Sequence, residues 1–254
     1  MLSNNKTLSI YINNNTILYV IKNRKDYIYN LIELTETTDD DKILIIIQEI
    51  KKLKKTYKPN KIYVVFGSAN EHTKVIEKEQ PIKKNINIVI KNEIENSLKQ
   101  DIDINDLTIA YEQLDKEKKL FLITAYNKAF INKFCNLAEK ENLVLDVITI
   151  PEIALYNLLK QKAGLNMLIY KKDNIFRAIV VKDGLLIYTI NFNITDITNI
   201  LEEIDRIKEL IYIKLNRNID KIYNIGDDDI PDSIEFNISN VQEDYLIPYG
   251  LLIK

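Results

Sequence analysis

Apolar residues recur along this chain with two different periods, and the order in which the periods alternate outlines the fold. Residues 7–12 and 16–21 alternate in period two on either side of Asn13-Asn14-Asn15, which predicts a hairpin because Asn tolerates left-handed backbone angles. Residues 27–34 predict a third strand after another polar turn. Then the period lengthens. Ile43, Ile46, Ile47, Ile50, Leu53 and Tyr57 recur at helical spacing, behind the acidic start Asp39-Asp40-Asp41 and ahead of Pro59. Residues 61–66, KIYVVF, form a continuous apolar run of buried-strand type. Three strands, a helix and a strand make the β-β-β-α-β opening of a ribonuclease-H-like lobe.

The middle third has a different rhythm. Residues 72–84 read as an exposed stretch with Pro81 and little apolar content. Ile86, Val89, Ile90, Ile94 and Leu98 mark one face of a helix ending near Asp101. Residues 107–114 and 119–126 predict two strands about the turn 115–118, and Phe130, Phe134, Leu137 and Ala138 mark a further helix. The expectation is a small α+β insert, residues 72–142, carried on the first lobe.

The last third repeats the opening. Residues 143–150 return to strand, and Pro151 opens a helix that carries Ile153, Ala154, Leu158 and Leu159 until Gly164. Strands are predicted over 166–170, 175–181 and 185–192, with Lys182-Asp183-Gly184 turning between the last two. A helix over 195–215 would bury Ile197, Ile200, Ile204, Ile207, Ile211 and Leu215, and residues 221–225, KIYNI, echo KIYVVF. The expected domains are a first lobe of residues 1–71 and 143–164, the insert 72–142, and a second lobe 165–254. No Gly/Ser-rich or Pro-rich linker separates them, which predicts close packing.

Composition changes this picture little. Hydrophobic residues make up 46% and charged residues 28% with a net charge of -2, which excludes disorder and argues against nucleic acid as a partner. The single Cys135 excludes an intrachain disulfide and a Cys-based zinc cluster and suits a reducing compartment. The first residues lack the basic segment and apolar core of a signal peptide, and no apolar run approaches the ~20 residues that span a bilayer. Membrane association is therefore expected only through a partner.

Candidate chemistry is sparse. The five glycines, Gly67, Gly164, Gly184, Gly226 and Gly250, are too far apart to build a P-loop or a GxGxxG turn. His72 is the only histidine, so a Ser-His-Asp triad or a His-based metal site has nothing to build on, and a solvated surface residue is the preferred reading. Cys135 reads as a partly buried, inert thiol. Asp39-Asp40-Asp41 and Asp227-Asp228-Asp229 suit Mg or Ca in principle, with a helix start and a solvated turn preferred. Lys51, Lys52, Lys54 and Lys55 form a basic helix face that could approach phosphate or anionic lipid, with a solvated amphipathic face preferred. Tyr11, Tyr19, Tyr63, Tyr170 and Tyr223 fall in predicted strands, where packing explains them. No catalytic, cofactor-binding or metal-binding residue is assigned.

Three stretches carry a resemblance. Residues 119–159, KLFLITAYNKAFINKFCNLAEKENLVLDVITIPEIALYNLL, residues 90–114, IKNEIENSLKQDIDINDLTIAYEQL, and the closing PYGLLIK together resemble the PilM family of type IV pilus assembly proteins over nearly the whole chain. The resemblance implies an actin-like α/β fold of two ribonuclease-H-like lobes with the insert on the first. It also implies a place on the cytoplasmic face of the inner membrane, and binding of the N-terminal segment of a single-span membrane protein like PilN in a groove where insert meets first lobe. GspL of type II secretion, whose cytoplasmic part is an adaptor, is a shorter relative, so the assembly or secretion ATPase is a further candidate partner.

The departures from the family pattern matter. Its Asp-Ile-Gly phosphate turn is Tyr11-Ile12-Asn13-Asn14-Asn15 here, and the second-lobe Asp and Gly turn is Tyr170-Lys171-Lys172-Asp173-Asn174. Ile225-Gly226-Asp227 resembles the adenosine-side loop without its second glycine. The strand ending at Phe192 runs almost directly into the next helix, so one subdomain of the second lobe is expected to be missing. The expectation is a non-catalytic, cofactor-free cytoplasmic adaptor. The alternative is an actin-like ATPase or kinase-family nucleotide-binding enzyme with atypical loops.

Overall fold

A computed structural model of the chain describes residues 6–13, 16–24, 26–35, 38–67, 72–77, 86–96, 103–115, 120–172, 174–194, 200–226, 230–238 and 241–253. Two compact units divide it. One comprises Met1–Ser68, Asn127–Asn157 and Asn240–Lys254, the other Ala69–Tyr126 and Leu158–Ser239.

The first unit is built on a five-stranded sheet. Strands β1 (Lys6–Ile12), β2 (Thr16–Asn23), β3 (Asp26–Glu33), β4 (Lys61–Phe66) and β8 (Val147–Thr149) lie in the order β3-β2-β1-β4-β8. β2 is antiparallel to β1 and β3, while β4 runs parallel to β1 and to β8. A parallel neighbour needs a crossover, and helix α1 (Asp39–Tyr57) supplies it between β3 and β4. Its stripe Ile43, Ile46, Ile47, Ile50 and Leu53 packs on Leu8, Ile10, Ile17, Ile21 and Val64, joined by Phe134 of helix α3 (Lys128–Lys140). Each such side chain withdrawn from water contributes about 1.5–3 kcal/mol before ordering entropy is subtracted.

The second unit repeats the plan. β9 (Leu165–Lys172), β10 (Ile175–Lys182), β11 (Leu185–Asn193), β12 (Lys221–Ile225) and β13 (Ser233–Glu235) take the order β11-β10-β9-β12-β13. Helix α5 (Ile200–Leu215) packs Ile204, Ile207 and Ile211 over Met167, Ile169, Phe176 and Val180. KIYVVF and KIYNI are β4 and β12, each parallel to the first strand of its own sheet. The sequence echo marks equivalent positions in two copies of one topology.

The middle segment departs from its expected outline. His72–Glu77, expected as an exposed stretch, is strand β5, paired antiparallel with β7 (Leu120–Asn127) in a three-stranded sheet of order β5-β7-β6, where β6 is Leu107–Asp115. Burial overrides the polar local sequence. Ile76 is covered by Ile90 and Ile94 of helix α2 (Ile86–Glu95), while Val75 on the opposite face joins Leu120 and Leu114 against the second unit's core. By chain order the segment is inserted between β4 and β8. By packing, Ala69–Tyr126 groups with the second unit and α3 with the first, so the compact units divide elsewhere than the expected residues 72 and 142.

Other boundaries shift for identifiable reasons. Residues 143–146 precede the strand rather than forming it, because the Leu143 N–H closes α3 on the Ala138 carbonyl and Asp146 is bonded to Ile62 through both its own N–H and its carboxylate. The expected ends of α2 near Asp101 and the turn at 116–118 lie outside the described residues, as do residues 195–199 ahead of α5. Near the chain's end, helix α6 (Leu246–Gly250) follows a 3-10 turn at Glu243–Tyr245. Helix α4 (Pro151–Leu159) begins at the proline, as its fixed φ favours.

Candidate functional site

The turn between β1 and β2 is where a nucleotide-binding relative would present backbone amides to phosphate. Here the described amides are used by the turn itself. Asn13 N–H donates to the Thr16 carbonyl at 3.1 Å, while the Thr16 N–H and hydroxyl donate to Asn13 Oδ1 at 2.7 and 2.8 Å. Asn14 and Asn15 lie outside the described residues. At the neighbouring end of β4, the Gly67 N–H donates to the Ile12 carbonyl at 2.8 Å. The Tyr11 ring lies on Gly67. A Cβ at Gly67 would stand 2.5 Å from the Tyr11 hydroxyl oxygen and 2.7 Å from Cζ, which no side chain tolerates without displacing the ring. The glycine thus makes room for an aromatic side chain of the same sheet.

In the second unit, Asn174 takes the left-handed conformation at φ 61°, and its carbonyl accepts from Ile194 N–H at 2.7 Å. Asp173, in the stretch that replaces the family's second Asp and Gly turn, lies outside the described residues. Gly226 follows β12 at φ 87°, and Asp227, Asp228 and Asp229 lie outside the described residues.

Several of the remaining sequence candidates serve the scaffold. Thr38 caps α1, its Oγ1 accepting from Asp41 N–H at 3.2 Å and donating to the Asp41 carboxylate at 2.5 Å, while Asp40 pairs with Lys133. Among the described residues, no three His, Cys, Asp or Glu side chains gather as metal ligands. On the basic face of α1, Lys51 pairs with Glu141 and Lys54 Nζ donates to the Asn142 carbonyl at 3.3 Å, so these two lysines fasten α1 to the end of α3. Cys135 sits on α3 against the first core, and burial raises its pKa and holds it as the less reactive thiol. His72 lies opposite Ala125 in the β5–β7 ladder; its side chain is outside the described ones. Tyr11, Tyr19, Tyr63, Tyr170 and Tyr223 are buried strand residues.

One aromatic group escaped sequence reasoning. Tyr27 and Tyr29 project from the same face of β3 and pack on Tyr249 and Tyr245, with ring centroids 5.1 and 5.2 Å apart. Lys22 Nζ donates to the Leu252 carbonyl at 2.9 Å. Gly250 completes the clamp, because a Cβ there would lie 2.8 Å from the Ala154 carbonyl carbon and closer still to its oxygen. The Tyr-x-Tyr spacing in β3 and the i,i+4 tyrosines near the end were the available signal.

Two sheets of identical strand order, each a hairpin extended by parallel strands through a helix, define the architecture, and solved structures share it. The fold is actin-like. A structure titled as the PilM-PilN type IV pilus biogenesis complex matches with a TM-score of 0.63 and 12% identity, over 86% of this chain and 80% of that one. A Bacteroides thetaiotaomicron protein with an actin-like ATPase fold matches at 0.54 and 13% identity, over 99% and 89%. The cytoplasmic domain of EpsL, an inner-membrane component of the type II secretion system of Vibrio cholerae, matches at 0.53 and 8% identity, over 98% and 95%. The sequence matches no family model and no curated protein. At these identities the likeness is one of fold, and fold alone assigns no chemistry. No helix among the described residues is long and apolar enough to cross a membrane.

Proposed function

We propose that this chain is a non-catalytic adaptor in the inner-membrane assembly platform of a type IV pilus or type II secretion system, holding the cytoplasmic N-terminal segment of a PilN-like single-span partner. The observation that carries the non-catalytic part is the packing of Tyr11 on Gly67 beside a turn whose described amides donate internally. A phosphate group needs open N–H donors and close backbone approach; the Asn13 and Thr16 amides donate within the turn and the Tyr11 ring takes the space beside Gly67, which supports this reading.

The partner is supported by the likeness of fold to the PilM-PilN and EpsL structures and by the PilM-like text of residues 90–159. An extended segment docks most readily by adding to a free strand edge. Strand β6 is an edge strand nine residues long, with Tyr111 45% exposed. In this reading the chain works at the cytoplasmic face of the inner membrane and reaches it through its partner, with the assembly or secretion ATPase as a second candidate.

Isothermal titration with ATP-Mg and ADP-Mg tests the non-catalytic part. Dissociation constants no tighter than millimolar are expected, about 4 kcal/mol of binding. A micromolar constant contradicts it and favours the nucleotide-binding enzyme.

A further inference from the structure

At the end of the first sheet away from the Asn13–Thr16 turn, a cavity of about 290 Å³ is lined by Lys6, Lys22 and Lys61, with Thr7 between them and Tyr63 and Leu252 among its apolar walls. The strand register explains the gathering. Thr7 of β1 pairs with Lys22 of β2 on one side and with Lys61 of β4 on the other. Directly paired residues project from the same face, so Lys22 and Lys61 flank the Thr7 hydroxyl at about one strand spacing, ~4.8 Å, on each side.

No carboxylate side chain is among the described residues lining the cavity. Like charges held about 10 Å apart beside low-dielectric walls raise the local positive potential, and an anion between them lowers it. Lys22 is fixed in place, since its ammonium donates to the Leu252 carbonyl at 2.9 Å and lies 6.0 Å from the Tyr27 ring centroid. An ammonium has three donors, so one bond to a carbonyl leaves two to direct at a ligand. Tyr63 and Leu252, 6% and 5% exposed, give the cavity an apolar side. The volume admits a single headgroup-sized moiety.

From this we infer a second, anion-binding site on the first unit, which takes a phosphate group between Lys22 and Lys61 with the Thr7 hydroxyl as a further donor. It is separate from the hairpin turn. β1 runs seven residues from Lys6 to Ile12, about 20 Å at the rise of a strand, so the cavity and the turn lie at opposite ends of the sheet. The inference does not depend on the adaptor reading. The phosphate has two sources, a free phosphate ester or a phospholipid headgroup, and the test separates them.

Inorganic phosphate is titrated into the full chain at constant ionic strength, with chloride as the control, and amide shifts are followed by NMR. Saturable shifts confined to residues 6–7, 22, 60–63 and 251–252 are expected. They should weaken by roughly tenfold in Lys61→Gln, an exposed position whose loss spares the core, and further in a Lys22→Gln/Lys61→Gln variant. Flotation with phosphatidylcholine vesicles, with and without phosphatidylglycerol, is the second arm. Flotation that requires phosphatidylglycerol and is lost in the double variant assigns a lipid headgroup. Phosphate binding without flotation assigns a soluble phosphate. Shifts no larger than those from chloride, together with flotation unchanged by the substitutions, overturn the site.

Discussion

The Tyr11 ring rests on Gly67, so that a side chain of β1 shapes the end of β4. A Cβ at Gly67 would stand 2.5 Å from the Tyr11 hydroxyl oxygen, and Tyr11 itself is only 2% exposed.

Gly67→Ala is therefore expected to destabilise the protein by about 1–3 kcal/mol, the usual cost of overpacking. Tyr11→Leu should recover part of that loss in the double variant, since the two positions share one contact. Urea unfolding of the four proteins of this cycle checks the coupling. Additive effects would show that the ring does not depend on the glycine.

Gly250→Ala makes a harder contact. Its Cβ would meet the Ala154 carbonyl, a backbone group in the first turn of α4, where Gly67→Ala meets a side-chain ring. A loss of about 2 kcal/mol or more is expected, with the C-terminal segment loosened from the first sheet. Hydrogen exchange at residues 245–252 should rise in this variant, and unchanged protection there would contradict the clamp.

Alkaline pH should also loosen the clamp. Burial raises the pKa of Tyr29, and burial first, then the hydrogen bond with Tyr27, raises that of Tyr249; Tyr19 and Tyr188 are raised mainly by burial too. The folded state keeps these phenols protonated when the unfolded chain has begun to lose its protons near pH ~10. Stability from these groups is thus fully present below that pH and falls as pH rises through the folded values. Urea midpoints measured from pH 8 upward should be flat and then decline, less steeply in Tyr29→Phe and Tyr249→Phe. A midpoint indifferent to pH would show that these phenols do not contribute to stability.

What could be read from the sequence followed the range of the interactions. The α1 stripe from Ile43 to Leu53 and the duplicated strand order were legible because period and turn residues are local signals. β5 was not, since HTKVIE carries two apolar residues whose burial comes from α2 on one side and the second core on the other. α6 was not predicted, since it spans only Leu246–Gly250 and includes Pro248 and Gly250, and the packing reason for Gly250, its contact with Ala154, is long-range. At the candidate site, the shortage of paired glycines was plain in the text. That Tyr11 lies on Gly67, and that Thr7, Lys22 and Lys61 stand side by side, depended on register across three strands.

Capture of a membrane protein's cytoplasmic segment is checked by titrating the isotope-labelled chain with synthetic N-terminal peptides of single-span pilus-platform proteins. Saturable amide shifts are expected for at least one such peptide, including residues of β6 from Leu107 to Asp115. If no peptide perturbs the spectrum while a secretion ATPase domain does, the PilM-like role is contradicted and a GspL-like adaptor takes its place.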